Sequence, residues 1–451
     1  MTATVRPVMP PDHHTPRPYL GPSKDEVLAM RRQYCHPSTF LYYREPLMLV
    51  EGFMQYLYDE TGRRYLDMFA GIVTVSCGHS HPKFVERIKA QIDAIQHTTT
   101  IYLHPNFPLM ARRLAEKLPS GLDVTYFVNS GSEANDLAVM MARAFTGHDD
   151  VVGVRNGYHG GSPSTMAMTS HSTWKFPQQL NLGVHHAVNP DPYRTPFAGT
   201  PEEVARKSAE DIRDLIRYST PGVIAAFIAE PIQGVGGVTH GAPNYLGEAY
   251  AVAREHGGLC IADEVQTGFG RTGTRYWGFE NSGVVPDIVT MAKGIGNGWP
   301  LAAVTTRREI AESLTQRIHF NTFGGNPVSM AAGLAVLDII EEDGLQANAH
   351  AVGGRLKAGL LDLQRRHRLI GDVRGMGLML GVELVRDRDT KVPATQETLA
   401  VWEAMREMGV LVGKGGLFGN TLRIKPPMCV TAADIDFTLE VLDAALARVE
   451  G

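Results

Sequence analysis

Five short, almost continuously apolar runs recur through the middle of the chain, and we interpret them as strands. They occupy residues 124–128, 151–154, 223–229, 259–262 and 287–292. A strand buried on both faces lacks the apolar–polar alternation of a half-exposed strand, and this is typical of parallel sheets that are covered by helices. The pattern therefore predicts a mostly parallel sheet.

Helical patterns lie between several of these runs. From Ala134 to Phe145 the apolar residues recur at positions i, i+3, i+4, i+7, i+8 and i+11, and Gly147 follows as a stop signal. Residues 245–256 form a second such pattern, ended by Gly257 and Gly258. The alternation of strands with helices predicts an open α/β sheet.

The two ends of the chain have a different pattern, which predicts a smaller α+β domain. After about residue 325 we expect a long helix, two strands and a closing helix, at 327–342, 378–384, 422–424 and 432–449. Short strands are expected before residue 75, at 47–50, 55–58 and 65–68, and we expect them to join the C-terminal part.

The expected domains are therefore an N-terminal arm with part of the small domain (1–75), a large cofactor-binding α/β domain (76–325) and a C-terminal small domain (326–451). We interpret the first 22 or so residues, which are rich in proline, as a loosely ordered arm.

Composition narrows the function classes without choosing among them. The 451 residues carry a formal net charge of −5, with 43% apolar and 20% charged residues, which is ordinary for a globular protein and argues against nucleic-acid binding. No apolar run approaches the ~18 residues that span a membrane. The four cysteines form no CxxC pair, and the N-terminus resembles neither a signal nor a transit peptide, so we expect a cytoplasmic location.

Polar or ionisable residues follow directly after each of the five predicted strands. They are the segments 129–133 and 155–160, Glu230, the segment 263–266, and Lys293 with Gly294. Because ligands bind beyond the carboxyl ends of parallel strands, we expect these residues to line one crevice.

The segment Ser130-Gly131-Ser132-Glu133 opens the clearest helix and has two interpretations. It is a capping box if Ser130 and Glu133 bond each other's backbone. It is an anion site if the free N–H groups, the positive helix end and two hydroxyls hold a phosphate. From the residues alone both remain open.

Lys293 stands at a strand end before the glycine-rich segment 294–298. It is either an exposed lysine or a desolvated lysine whose pKa is lowered, which makes the amine nucleophilic and suited to a Schiff base. Asp263, at a neighbouring strand end, could pair with a protonated ring nitrogen. A phosphate site, an amine that captures an aldehyde and a partner for a pyridinium ring together specify pyridoxal phosphate.

Other patterns are given a structural interpretation. The GxGxxG segment 268–273 opens no helix, so a dinucleotide site is not expected there. The histidines at 13–14, 79, 81 and 185–186 lack carboxylates at ligand spacing, and we predict no metal site. The charge-rich segment 202–217 is interpreted as the solvated face of a helix.

The motifs together resemble the class-III aminotransferases, which are fold-type-I pyridoxal-phosphate enzymes. The resemblance covers residue 35 to the end and rests on segments 130–135, 158–160, 230–231, 263–273, 292–298 and 322–327. Within that class, segments 68–79, 100–105 and 319–327 look most like the alanine–glyoxylate type.

The resemblance implies a role for each matching residue. Lys293 would be the Schiff-base lysine and proton shuttle, and Asp263 would pair with the ring nitrogen. Around the cofactor ring, Gln266 would bond the phenolic oxygen, Tyr158 would stack on the ring, and Glu230 would shape the site.

The resemblance also assigns the phosphate and substrate ends of the site. Ser130, Gly131 and Ser132 would hold the phosphate, and Thr322 would reach the phosphate of a partner subunit, which implies a homodimer. Arg423 would clamp the substrate carboxylate. Side chains that select the amino donor are expected around Tyr43 and Val75.

The implied function is ping-pong transfer of an amino group from alanine or a β/ω-amino acid to glyoxylate or pyruvate. The alternatives are a transaminase for 4-aminobutyrate or another ω-amino acid, and a lyase, mutase or racemase using the same cofactor, because fold and cofactor do not fix the reaction. A cofactor-free binding protein is a third possibility, against which the intact Lys293 and Asp263 count.

Overall fold

The computed structural model of the chain describes residues 7–176 and 183–451. Its helices are α1 (Lys24–Tyr34), α2 (Ala70–Val73, a single left-handed turn), α3 (Pro82–Ala94), α4 (Asn106–Ala115), α5 (Gly131–Thr146), α6 (Pro163–Met168), α7 (Pro201–Ser219), α8 (Tyr245–Glu255), α9 (Arg308–Glu312), α10 (Pro327–Glu342), α11 (Leu345–Arg366), α12 (Thr395–Glu407) and α13 (Ala432–Glu450).

The strands of the same residues form four sheets. They are β1 (Leu49–Phe53), β2 (Tyr56–Asp59), β3 (Arg64–Asp67), β4 (Val124–Val128), β5 (Val151–Val154), β6 (Val184–Ala187), β7 (Ala226–Ala229), β8 (Ile232–Gln233), β9 (Thr239–His240), β10 (Leu259–Asp263), β11 (Ile288–Met291), β12 (Ala302–Thr306), β13 (Ile370–Met376), β14 (Met379–Leu384), β15 (Val410–Leu411), β16 (Gly413–Gly415) and β17 (Thr421–Ile424).

The largest sheet has seven strands in the order β4-β12-β11-β10-β7-β5-β6. Strand β12 runs antiparallel to both of its neighbours, and the other six strands share one direction. The predicted α/β class with a mostly parallel sheet is confirmed. The sequence pattern did not reveal β6 and β12, because VHHA and AAVTT are less continuously apolar than the five strands that were predicted.

The N-terminal strands do join the C-terminal part of the chain. Strand β15 pairs with β3 in parallel, which extends the β1-β2-β3 meander to a four-stranded sheet. A second sheet of the order β13-β14-β17-β16 lies entirely after residue 369. The expected pairing of the N-terminal strands with the C-terminal part is therefore present, and the division of the chain at residues 75 and 325 stays a prediction.

Two predictions need correction, namely the start of one strand and the looseness of the N-terminal arm. The run 223–229 enters the sheet only at Ala226, because the backbone N–H groups of Ile224 and Ala225 bond to loop carbonyls instead. Residues 7–22 contain no helix or strand, as expected, but they are more closely packed than a loose arm. The His14 ring stacks on Phe53 at 4.5 Å, and the Tyr58 hydroxyl donates to the Asp12 carboxylate. The first six residues of the arm lie outside the described residues.

The structural interpretations of two motifs are confirmed. Helix α7 contains the charged segment 202–217 and buries an apolar stripe that includes Val204, Ile212 and Ile216. The glycine-rich segment 268–273 opens no helix, and its Arg271 is buried, with Nη1 donating to the carbonyls of Leu378 and Pro426. No helix among residues 7–176 and 183–451 is long and apolar enough to cross a membrane.

Candidate active site

A cavity of about 380 Å³ opens at the carboxyl ends of β4, β5, β7, β10 and β11. Each of these five strand ends contributes side chains, as the sequence predicts. Eight of the ten predicted site residues line it: Ser130, Gly131, Ser132, Tyr158, Glu230, Asp263, Gln266 and Lys293. The other two, Thr322 and Arg423, lie outside this lining.

The start of helix α5 is capped, but the reciprocal capping box is not formed, because the Glu133 carboxylate accepts from the Asn129 N–H at 2.9 Å and not from the Ser130 N–H. Ser130 is the N-cap, and its Oγ accepts a hydrogen bond from the Glu133 N–H at 3.2 Å. Ser132 Oγ accepts from the Gly161 N–H at 3.0 Å, and a Cβ at Gly160 would lie 2.4 Å from that Oγ. The remaining N–H groups of the first turn have no partner within the helix. A cap and a small cradle for an anion therefore occur together.

Asp263 is 2% exposed and lies in a set of donors that hold its carboxylate. Its Oδ2 accepts from His159 Nδ1 at 2.7 Å and from Asn135 Nδ2 at 2.8 Å, and its Oδ1 accepts from the Val265 N–H at 3.1 Å. Burial alone would lower the pKa of His159, but the bond to Asp263 and the nearby negative charges outweigh it and raise that pKa. The contact therefore stabilises the positive charge of a protonated His159 against the Asp263 carboxylate.

Lys293 follows β11 with a left-handed φ of 49°. Burial lowers the pKa of its amine, and the positive charge of Arg423 acts in the same direction, while Asp263 and Glu230 oppose the shift without cancelling it. No described residue accepts a hydrogen bond from Nζ. The amine is thus partly desolvated and free to react, as a nucleophilic lysine requires.

Glu230 fixes the backbone on two sides of the cavity. Its Oε1 accepts from the Tyr158 N–H at 2.9 Å, and its Oε2 accepts from the Gly234 N–H at 2.7 Å. Burial, together with the negative charge of Asp263, raises the pKa of Glu230. The Tyr158 ring lines the cavity and meets Trp174 edge-on at 5.4 Å.

Arg423 is 6% exposed, and its positive charge acts on Lys293 and Glu230 of the cavity. Its Nε donates to the Lys414 carbonyl at 3.1 Å and its Nη1 to the Gly234 carbonyl at 3.2 Å, while the guanidinium sits 5.1 Å from the Phe69 ring centre. The Tyr42 hydroxyl also interacts with the guanidinium, so of its five N–H donors no more than three, on Nη1 and Nη2, remain for a ligand. Only an end-on approach of a carboxylate to these two nitrogens gives two hydrogen bonds.

Comparison with known proteins decides the family. The class-III aminotransferase family matches residues 43–446. The chain belongs to the class-III aminotransferases.

Relatives of this aminotransferase carry two kinds of name. It is 56% identical to alanine–glyoxylate aminotransferase 2 homolog 2, mitochondrial, of Arabidopsis thaliana, over 98% of this chain and 91% of that protein. It is 43% identical to the human alanine–glyoxylate aminotransferase 2, mitochondrial, over 98% and 90%. It is also 37% identical to ethanolamine-phosphate phospho-lyase homolog 1 of Caenorhabditis elegans, over 94% of both chains.

Among solved structures, an (S)-enantioselective omega-transaminase from Thermomicrobium roseum superposes with a TM-score of 0.88 at 35% identity, covering 96% of this chain and all of that one. The fold is therefore that of the pyridoxal-phosphate transaminases, and the enzyme is an aminotransferase that uses this cofactor.

The residues of the aminotransferase site fit pyridoxal phosphate. The cradle at the start of α5 suits a phosphate, the buried Asp263 suits a ring cation, and the unbonded amine of Lys293 suits an aldehyde. No cluster of three or more metal-ligating side chains occurs among the described residues. In the pair His185-His186, His185 contacts the Asp150 carboxylate at 2.8 Å and His186 contacts the Met168 carbonyl at 3.3 Å.

Sequence reasoning missed three buried partners of the site. Asn135 and His159 bond Asp263, and they could have been suspected because they stand within the quoted motifs. Lys425 donates to the Gln266 side chain at 3.0 Å, and nothing in its local sequence indicates this contact.

Side chains that select the amino donor are expected around Tyr43 and Val75, and this expectation stays a prediction. Tyr43 is buried and stacks on Trp402 at 4.1 Å, so it belongs to the core. Its neighbour Tyr42 lies nearer the aminotransferase site, because its ring stacks with that of Phe69 and its hydroxyl accepts from the Lys414 N–H at 2.7 Å.

Proposed function

We propose that this aminotransferase moves the amino group of alanine, or of a β- or ω-amino acid, to glyoxylate or pyruvate. The observation that carries the proposal is a buried guanidinium, Arg423, with free donors beside the cavity that contains Lys293. A guanidinium suits the carboxylate that these donors and acceptors share. The names of the two alanine–glyoxylate relatives point the same way.

The proposed roles follow from position and charge. Ser130, Gly131 and Ser132 would hold the cofactor phosphate, and Asp263 would keep the ring nitrogen protonated. When bound, pyridoxal phosphate supplies an aldehyde that captures an amine and a ring that accepts an electron pair. Gln266 would donate to its phenolic oxygen.

Lys293 would move the proton in each half-reaction. Because burial lowers the pKa of its amine, a larger fraction is unprotonated near neutral pH than for an exposed lysine. The neutral amine can take the proton from Cα of the donor and return it on the cofactor side. Tyr158 would cover the ring, and Glu230 would hold Tyr158 and Gly234 in place.

A panel of donors and acceptors tests the substrate class. L-Alanine with glyoxylate and β-alanine with pyruvate should both be turned over, whereas 1-phenylethylamine, which lacks a carboxylate, should be a poor donor. Equal rates with alanine and 1-phenylethylamine would reject the carboxylate clamp. A strong preference for 4-aminobutyrate would favour the ω-amino acid alternative. Release of inorganic phosphate from phosphoethanolamine would favour the lyase alternative.

We also propose that the enzyme is a homodimer with sites at the subunit interface. Large apolar side chains are exposed on two segments of the described chain: Ile101, Tyr102, Leu103, Ile318, Phe320 and Phe323. The two segments are neighbours, since the rings of His97 and Phe323 lie 5.5 Å apart. Contiguous exposed apolar surface of this kind marks an interaction site.

Thr322 lies within the second segment and is exposed. The preceding residue, Asn321, donates through Nδ2 to the Glu133 carboxylate at 3.2 Å. Because Glu133 stands in the first turn of α5, the segment lies beside the phosphate end of the cavity. An exposed threonine on an apolar surface next to this end could serve the phosphate of the partner.

Sedimentation of the holoenzyme tests the dimer. Leu103→Asp should dissociate it and weaken cofactor binding, because interface and phosphate site would be linked. Tyr218→Asp, at a side chain that is 76% exposed elsewhere, is the control and should leave the dimer intact. A fully active wild-type monomer would reject the shared site.

The cytoplasmic location stays a prediction, and cell fractionation would test it against the mitochondrial location in the relatives' names.

A further inference from the structure

Lys425 is a lysine with no exposed surface, directly after strand β17. No carboxylate of the described residues lies within ion-pair distance of it, and its Nζ donates to the Gly234 carbonyl at 3.1 Å and to Gln266 Oε1 at 3.0 Å. Burial, and then the positive charges of Arg423 and Lys293, lower its pKa well below the usual range. A methionine would fill this space without the free-energy cost of burying an amine. The buried amine therefore calls for a functional explanation.

The contact with Lys425 decides which way the Gln266 carboxamide faces. An amide presents an oxygen that accepts and a nitrogen that donates, with nearly equal shapes, so its neighbours choose the orientation. The Lys425 amine donates to Oε1 and so keeps this oxygen on its own side. Nε2, which bonds no described residue, is then left for the cavity that Gln266 lines.

The Gly234 backbone also confines the Gln266 amide. A Cβ at this position would lie 2.2 Å from Gln266 Oε1 and 2.3 Å from its Cδ. The carboxamide therefore lies directly against the Gly234 backbone, whose carbonyl also binds Lys425 and Arg423. Because the Gly234 backbone packs against the amide and Lys425 donates to its oxygen, the amide has little freedom to rotate.

We propose that Lys425 is a positioning residue that orients the Gln266 amide so that Nε2 donates to the phenolic oxygen of the cofactor. The inference rests on the proposed function, in which Gln266 meets that oxygen. The phenolic oxygen competes for a proton with the nitrogen through which Lys293 would hold the cofactor. A hydrogen bond donated to the phenolic oxygen makes this oxygen less basic. The bound cofactor chromophore therefore loses the shared proton at a lower pH.

The test is a pH titration of the visible absorbance of the holoenzyme. Lys425→Met should raise the midpoint by about 0.5–1 pH unit, the scale of one hydrogen bond. Gln266→Ala should raise it similarly, and the double variant should shift no further than either single variant. Gly234→Ala, which crowds the amide while keeping Lys425, should give a shift in the same direction.

Two results would overturn the inference. The first is a Lys425→Met variant whose absorbance titrates with the same midpoint as the wild type. If Lys425→Met does not fold, an unchanged midpoint in Gly234→Ala has the same meaning. The second is a Lys425→Met shift that is as large in the Gln266→Ala background as in the wild type, since that would mean that Lys425 acts by its charge alone. Failure of the proposed function has a different signature, because the wild type itself would then lack the visible absorbance or the amino transfer.

Discussion

Replacing Asp263 with asparagine removes one negative charge from the buried floor of the cavity and changes almost no volume. The amide cannot satisfy all three existing donors. If its oxygen stays where His159 and Asn135 donate, its NH2 group meets the Val265 N–H, which is also a donor. If the amide turns over, the conflict moves to His159 and Asn135.

The expected loss in rate follows from the charge. An ion pair at ~3 Å in an effective dielectric of ~20 is worth ~5.5 kcal/mol before desolvation is subtracted. If half of that is lost in the transition state, the barrier rises by ~2.7 kcal/mol, and each ~1.4 kcal/mol costs tenfold. We therefore expect Asp263→Asn to lower turnover at least ~100-fold while the cofactor still binds through Lys293 and the phosphate cradle.

The assay combines steady-state amino transfer with the visible spectrum of the purified holoenzyme. Asp434→Asn is the matched control, because Asp434 is equally buried and hydrogen-bonded, to Tyr56 at 2.6 Å and to the start of α13, but lies outside the cavity. The control should lose stability and keep its specific activity. Near-normal turnover in Asp263→Asn would refute the role of a ring-nitrogen partner.

Three further predictions follow from the same geometry. Lys293→Ala should abolish both turnover and visible absorbance at saturating pyridoxal phosphate, and retention of both would contradict its role. Arg423→Lys should weaken each half-reaction with alanine by ~1.5–3 kcal/mol, measured by stopped-flow, with an unchanged cofactor spectrum. Burial raises the pKa of Glu264 from its ordinary 4.5 to about 7, so the folded protein holds a proton that the unfolded chain releases. Stability should therefore fall as pH rises from 4.5 to 7, and urea denaturation of Glu264→Gln should lack this slope.

The sequence was sufficient for those parts of the fold that depend on local pattern. Helix α10 begins and ends where its apolar periodicity and its Pro327 predict, and the strands with continuous apolar runs were found. Strand β12 escaped detection because its AAVTT sequence is small and mixed, and its place is fixed by pairing with β4 and β11 across the chain.

The site divides in the same way. Residues at strand ends, such as Lys293, could be predicted because parallel topology brings those ends together. Lys425 could not, since its contact with Gln266 spans 159 residues and depends on how the small domain packs on the large one. Sequence position also cannot separate Tyr43 from Tyr42, and only packing assigns the Tyr43 ring to the core.

The charges around the cavity explain why an anionic cofactor and anionic substrates suit it. Lys293, Arg423 and Lys425 are basic groups in or beside the cavity, and the pKa of each is lowered, chiefly by burial. The carboxylate of Asp263 is already paired with His159, so the carboxylate of Glu230 is left beside these three basic groups. A phosphate and a carboxylate supply the missing negative charge, and a ligand at 100 times its Kd stabilises the folded state by ~2.7 kcal/mol. Burial, aided by the charge of Arg423, also lowers the pKa of the Lys293 amine, so the desolvated cavity that strengthens anion binding also favours the neutral amine that proton transfer requires.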